Sequence, residues 1–210
     1  MTSQNLQQPS EPTADSIQHD IEDISHFLLE LDALKHVERR NYVTGGGRRE
    51  NSAEHSWHLA MACWSIAEYF KLPLNHEQLL KMALIHDLGE IDAGDTYLYD
   101  TQRNDAHHAE RDGIVRLQNE CGNGIHNLTE LWEEQETGVS AETQLIKAID
   151  RLLPFLLNLK TEGGMWQAHQ VTRSQVVATQ AFIAKSFPEI HHWLAKQVAY
   201  ATAQGWLIDR

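Results

Sequence analysis

The sequence predicts an all-α fold of about seven or eight helices. Three observations carry that prediction. Apolar residues recur at threes and fours over most of the chain. Alternating strand patterns are nearly absent. Helix-starting residues (Asn75, Ser140 and Thr172) stand directly ahead of periodic stretches.

Taken in order, residues 1 to about 14 are polar and predict a loose tail, leaving 15–210 as a single helical domain. A first helix is expected from Ser16 to Arg39, on Ile17, Ile21, Ile24, Phe27, Leu28, Leu31 and Leu34. "NYVTGGGRRENS" reads as a glycine-rich loop. A second helix is expected from Ser52 to Phe70, with Leu59, Ala62, Ile66 and Phe70 inward. Asn75 caps a third that runs through Leu88, where Gly89 weakens or ends it. Residues 92–104 are polar and irregular. Helices are then expected at Ala106–Cys121 and His126–Glu134. Ser140 starts a long one that Pro154 should kink, since proline cannot donate to the carbonyl four residues back, that of Asp150. Thr172 with Gln175 forms a capping box for a helix to Lys185, and a last helix covers Pro188–Ala203.

Composition narrows the function. With 210 residues, 41% apolar and 22% charged, the chain is long enough for one substantial core. Its formal net charge of −13 argues against nucleic-acid polymers and anionic membranes as partners. No apolar run approaches the roughly 18–20 residues that span a bilayer. The start, "MTSQNLQQPSEPTADS", lacks the basic and apolar parts of a signal peptide, so a cytoplasmic location is expected. Cys63 and Cys121 have no cysteine neighbour at metal or redox spacing. Cys63 in "MACWSIA" reads as a small buried hydrophobe.

Three polar groups fall where apolar ones belong. His55 is spaced with Leu59, Ala62 and Ile66. His86 shares a face with Leu79, Met82 and Ala83, with Asp87 at its edge. Asp150 stands among Ile146, Ile149 and Leu153. Each has a bland reading: a core histidine bonded to a carbonyl, a helix-end pair, an acid with a basic neighbour. A lone buried carboxylate is costly. One divalent metal accounts for all three, and such donors suit Mn, Fe, Co, Ni or Zn, and less typically Mg.

The ordered set resembles the HD-domain metal-dependent phosphohydrolases: a His, a His-Asp pair, then a distant Asp. Here these are His55 in "SAEHSWHLA", His86-Asp87 in "LIHDLGE" and Asp150 in "KAIDRL". The flanks "RRENSAEH", "HDLGEIDAGD" and "LWEEQET" bring it nearest to the bacterial 5′-deoxynucleotidases and their eukaryotic HD-domain relatives. The likeness runs from about residue 25 to 160.

The resemblance implies a compact HD-type bundle with one metal ion on His55, His86, Asp87 and Asp150. Glu90 would act on water or the leaving group, and Asp95 would stand near phosphate and metal-bound water. Arg40 falls near the nucleotide, and Arg40, Arg48 or Arg49 would offset phosphate charge, with Arg49 favoured. The tryptophan that follows in the deoxynucleotidases is Asn41 here, and the sequence departs again after residue 95. The implied substrate is a small phosphorylated molecule, foremost a nucleoside monophosphate, and the implied assembly is a homodimer. Another phosphate ester or phosphoanhydride as substrate, and a non-catalytic metal-stabilised module, stand as alternatives. Asp92 is expected to be merely solvated. His107-His108 and His191-His192 read as helix-surface residues. Trp57, Trp64, Trp166 and Trp193 read as core or dimer-contact residues.

Overall fold

A computed structural model describes residues 14–99 and 103–210, so the expected tail lies outside the described residues up to residue 13. Among the described residues the fold is all-α apart from one small hairpin and an isolated bridge between Thr172 and Ile208. In order it forms α1 (Ala14–Asp32), a 3-10 turn (Ala33–His36), β1 (Glu38–Tyr42), β2 (Arg49–Asn51), α2 (Ser52–Tyr69), α3 (His76–Ile85) and α4 (Glu90–Ala93). Then come α5 (Arg103–Gln118), α6 (Leu128–Thr137), α7 (Ala141–Lys160), α8 (Gly164–Ala168), α9 (Arg173–Gln180), α10 (Ile183–Ser186) and α11 (Pro188–Ala203). Eight of these helices have eight residues or more, the expected number; the short α4, α8 and α10 are additional.

Helix starts follow the predicted chemistry. The Asn51 side chain accepts from Glu54 N–H while Glu54 reaches back to the Asn51 N–H. Asn75, Ser140 and Thr172 cap α3, α7 and α9 through the N–H groups three residues on. The helix α7 continues through Pro154 to Lys160. Ends are less faithful. The helix expected to reach Lys185 breaks after Gln180, and α3 stops at Ile85 instead of Leu88. Side chains take over the α3 terminus: His86 Nδ1 donates to Ala83 O (2.9 Å) and Trp132 Nε1 donates to His86 O (3.1 Å). Gly89 is right-handed, so its lack of a side chain serves a close approach instead. A Cβ there would stand 2.4 Å from the Glu110 carbonyl oxygen of α5.

The first helix corrects the prediction in two ways. It ends at Asp32, not Arg39, and residues 38–51 form an antiparallel hairpin where a loop was expected. The apolar helical spacing stops at Leu34, and Gly45 and Gly46, at φ +98° and +74°, reverse the chain as L-residues rarely can. Of the expected inner face only Phe27 and Leu34 are buried; Ile17, Ile21, Ile24 and Leu28 are exposed, and so is Phe70, expected inward on the second helix but lying just past its end.

The core has three parts. Leu59, Leu79, Met82 and Ile146 join α2, α3 and α7. Phe155, Trp166, Val176 and Leu194 join α7, α8, α9 and α11. Phe27, Leu88, Ile114 and Trp132 join α1, α5 and α6 over the turn that follows α3. Because α7 contributes to the first two, it presents a third strip, with Asp150, Arg151, Pro154 and Asn158, to the cavity between them. Cys63 is buried as expected, Cys121 is exposed, and both are free thiols. Trp166 is buried, while Trp57, Trp64 and Trp193 are exposed. Among the described residues no helix is long and apolar enough to cross a membrane.

Candidate metal centre and cavity

The segments that meet at the base of this cavity are β1, β2, the start of α2, the turn after α3, the short α4 and the middle of α7. His55 lies one turn into α2, fully buried, because the Asn51 cap fixes where that helix starts. Asp150 comes across from α7: its Oδ1 is 3.1 Å from His55 Nε2 and 4.0 Å from His86 Nε2. One donor atom each from His55, His86 and Asp150 lie within 4.8 Å of one another. Asp87 Oδ1 stands 3.0 Å from His86 Nε2. A carbonyl can only accept, so the bond to Ala83 O puts the His86 proton on Nδ1 and leaves Nε2 a lone pair. That Nε2 is buried, has no hydrogen-bond partner and faces carboxylate oxygens. Lone pairs so arranged repel one another unless a cation lies between them. On the far side of the other ring, Glu50 Oε2 is 3.4 Å from His55 Nδ1, close for charge pairing but out of line for a hydrogen bond. A carbonyl or carboxylate behind each imidazole is the support that metal-ligating histidines use. The donor set therefore fits a divalent metal ion.

Charge in this pocket is dense. Burial works against the His55 imidazolium, and Arg39 adds to that, yet the contacts with Asp150 and Glu50 prevail and raise its pKa. Burial lowers that of His86, with its carboxylate neighbours opposing. For Asp150, burial favours the neutral acid, but Arg151 and His55 outweigh it and hold the carboxyl well below the usual range. Glu90 behaves in the opposite way. Burial first, and Asp87 second, push it up to about 9, and it accepts a 2.6 Å hydrogen bond from Ser52 Oγ. Asp95, after Gly94, is also raised, mainly by burial.

Above these residues opens a cavity of about 410 Å³, in the range of small-molecule sites. Its lining mixes charged groups (Asp87, Glu90, Asp95, Asp150, Arg151 and Lys147) with large apolar and aromatic ones (Tyr97, Tyr99, Phe155, Met165, Trp166 and Phe182). The Arg40 guanidinium lies 5.1 Å above the Tyr97 ring.

Comparison with known proteins matches a family model described as HD domain to residues 31–191. The chain belongs to the HD-domain family. This HD domain is 29% identical over 135 residues to 5′-deoxynucleotidase HDDC2 of Danio rerio, covering 63% of this chain and 66% of that protein, just under two thirds of its length. The Dictyostelium discoideum protein of the same name is 26% identical over 174 residues, covering 79% of this chain and 89% of its own. A solved structure from Magnetospirillum magnetotacticum MS-1, described as a predicted metal-dependent phosphohydrolase, is 35% identical with a TM-score of 0.81. It covers 90% of this chain and 96% of that one.

Within the HD domain, the structure brings His55, His86, Asp87, Glu90, Asp95 and Asp150 to one place and sets Arg40 on the cavity wall. Arg49 is not brought in. Strand alternation in β2 turns Glu50 inward and leaves Arg49 exposed. Asn41, at the position where the resemblance puts a tryptophan, is buried and accepts from Asn158 Nδ2 (3.0 Å). Asn158 also accepts from Met165 and Trp166 N–H, so it ties β1 to α7 and α8. Asp92 is exposed as expected but also holds Arg116 in a two-bond fork (2.7 and 3.0 Å).

Sequence reasoning missed four participants: Arg39, Glu50, Ser52 and His107. Reading "VERRNYVTGGGRREN" as a hairpin would have placed Arg39 and Glu50 inward by period two. His107, expected on a helix surface, lines the cavity, stacks on Trp132 (centroids 5.2 Å apart) and stands 3.4 Å from Glu136. Only packing of α5 against α6 could reveal that.

Proposed function

We propose that this chain is a metal-dependent phosphohydrolase that removes the 5′-phosphate of a (deoxy)nucleoside monophosphate. The observation that carries the reading is the convergence of His55, His86 and Asp150 beneath a cavity that also holds Glu90. The names and structural likeness of the relatives support it. His55, His86, Asp87 and Asp150 would hold one divalent ion, which when bound polarises a phosphoryl oxygen and acidifies coordinated water. Glu90, kept neutral by burial, is placed to donate a proton to the leaving 5′-oxygen, with Ser52 fixing its carboxyl. Asp95 orients the attacking water. The Arg40–Tyr97 pair and the aromatic side chains of the lining receive the nucleoside.

A second reading keeps this chemistry on another small phosphate ester. It is favoured by Asn41, whose amide is committed to Asn158 where relatives present an indole. A non-catalytic metal module fits less well, because a structural site gains nothing from a cavity of this size beside an uncharged acid. We read residues 15–210 as one HD-type unit working in the cytoplasm as a homodimer, and the exposed Trp57, Met61 and Trp64 of α2 support the assembly. Light scattering after size exclusion would report its mass.

The decisive assay loads purified protein with Mn²⁺ or Co²⁺ and measures phosphate release from a nucleotide panel. Release from nucleoside monophosphates is expected. Turnover confined to other esters selects the second reading, and no release from any phosphate ester with metal bound refutes both.

A further inference from the structure

Three cations gather at the mouth of the cavity: Arg40, Arg49 and His169. Arg40 lines the cavity and is itself exposed, which marks this as the opening. Its guanidinium lies 5.1 Å from the centre of the Tyr97 ring, and the His169 ring packs on the same tyrosine with centroids 5.1 Å apart. In the hairpin Tyr42 pairs with Arg49, and strand alternation puts Arg40 on the face of Tyr42. The two exposed arginines are therefore neighbours on the outer face. Burial lowers the pKa of His169, and Arg40 and Arg49 lower it further, as nearby positive charges do.

Such a group is unusual in this chain. With 30 acidic and 17 basic residues, a cation has many acids to pair with. Arg39, Arg48, Arg111, Arg116, Arg151 and Arg173 each have a carboxylate partner. Among the described residues Arg40, Arg49 and His169 have none. Crowded like charges repel, and an arriving anion relieves that repulsion. Two guanidinium forks fit phosphate oxygens in a way that point charges do not. The net charge of −13 opposes a polyanion, so the anion that fits here is small. Asp95, at the metal end, and Tyr97 are two residues apart, a backbone span of at most about 7 Å, the scale of one sugar. A molecule with its 5′-phosphate at the metal can thus bring a 3′-phosphate to the mouth.

We propose that Arg40, Arg49 and His169 form a second anion subsite at the cavity mouth, which takes a 3′-phosphate carried by the leaving group, so that the preferred substrate is a nucleoside 3′,5′-bisphosphate. This rests on the phosphohydrolase reading and narrows its substrate class. Hydrolysis breaks the P–O5′ bond: the water oxygen goes to the released phosphate, a proton goes to the 5′-oxygen, and the 3′-phosphate stays on the product. The test compares phosphate release from adenosine 5′-monophosphate and adenosine 3′,5′-bisphosphate by Mn²⁺-loaded wild type, Arg49→Gln, His169→Gln and the double variant. In wild type the KM of the bisphosphate should be about 10-fold lower, with the advantage shrinking as salt is added. Each single variant should raise that KM about 3-fold, and the double about 10-fold, as exposed charge contacts do. Turnover numbers and the monophosphate KM should stay unchanged. A second measurement needs no metal: in an NMR titration, adenosine 3′-monophosphate should bind EDTA-treated wild type more tightly than the double variant. Equal KM values for the two substrates in wild type overturn the subsite, as does an equal loss of both substrates in the variants. Better use of adenosine 5′-diphosphate than of the bisphosphate overturns the 3′ placement. In each of these cases monophosphate release by wild type leaves the phosphohydrolase reading standing. No release from any phosphate ester refutes that reading and the bisphosphate substrate with it.

Discussion

Replacing Glu90 by glutamine should abolish turnover and yet make the metal-free protein more stable at neutral pH. The carboxyl is buried at 6% exposure and raised from 4.5 to about 9 by burial and then by Asp87. In the unfolded chain the same group ionises near 4.5. Between those values the native state holds a proton that the unfolded state has released, so stability falls as pH rises through this window. Below about 4.5 the penalty is absent, and above about 9 it is complete. At about 1.4 kcal/mol per pH unit, the roughly 2.5 units from 4.5 to neutrality amount to about 3 kcal/mol. Glutamine is uncharged throughout and its carbonyl can still accept from Ser52 Oγ. The variant should therefore match wild type near pH 4.5 and exceed it by up to about 3 kcal/mol at pH 7. Urea unfolding of EDTA-treated proteins from pH 5 to 8 measures this. Asp95 is raised mainly by burial and also acts on Glu90, so the difference between the two proteins reports the Glu90 charge together with its interaction with Asp95. Parallel pH profiles would refute the reasoning. Turnover with Mn²⁺ should fall at least about 100-fold, the usual contribution of a positioned acid.

Other expectations follow from single contacts. Burial lowers the His55 pKa, but the contacts with Asp150 and Glu50 outweigh it and raise it above the ordinary value, and a metal needs the neutral ring. Mn²⁺ affinity should thus rise with pH through and beyond the ordinary imidazole value of 6.5, with proton release visible as a buffer-dependent binding enthalpy; binding at or below that pH with no proton release would contradict this. Gly89→Ala would press a Cβ to 2.4 Å from the Glu110 carbonyl and push α5 away from α4. A loss of about 1–3 kcal/mol is expected, read from thermal melts. Asp92→Asn removes the fork to Arg116, a pair near 40% exposure. It should cost less than about 1 kcal/mol in urea unfolding and leave Mn²⁺ binding and turnover unchanged.

The all-α class, the caps at Asn75, Ser140 and Thr172, and the placement of His55, His86 and Asp150 were legible along the chain. In each case the evidence is local: a cap needs a partner three residues away, and a helix face repeats at threes and fours. The outward Ile17–Leu28 stripe shows the limit of that logic, since periodicity marks an apolar face without saying what covers it. Asn41 shows another limit. Its departure from the family pattern was visible, but its buried bond to Asn158 spans 117 positions.

The sequence by itself thus determined which donors exist and that three helices carry them inward, because residue type and spacing fix both. Tertiary structure alone decided that they converge within 4.8 Å. It also decided that Arg39 rather than Arg49 reaches them, that His107 enters the cavity and that burial raises the Glu90 carboxyl. Those outcomes depend on strand alternation in a hairpin hidden behind three glycines, on the packing of α5 against α6 and on the shared burial of five acids. None of these has a period that can be read along the chain.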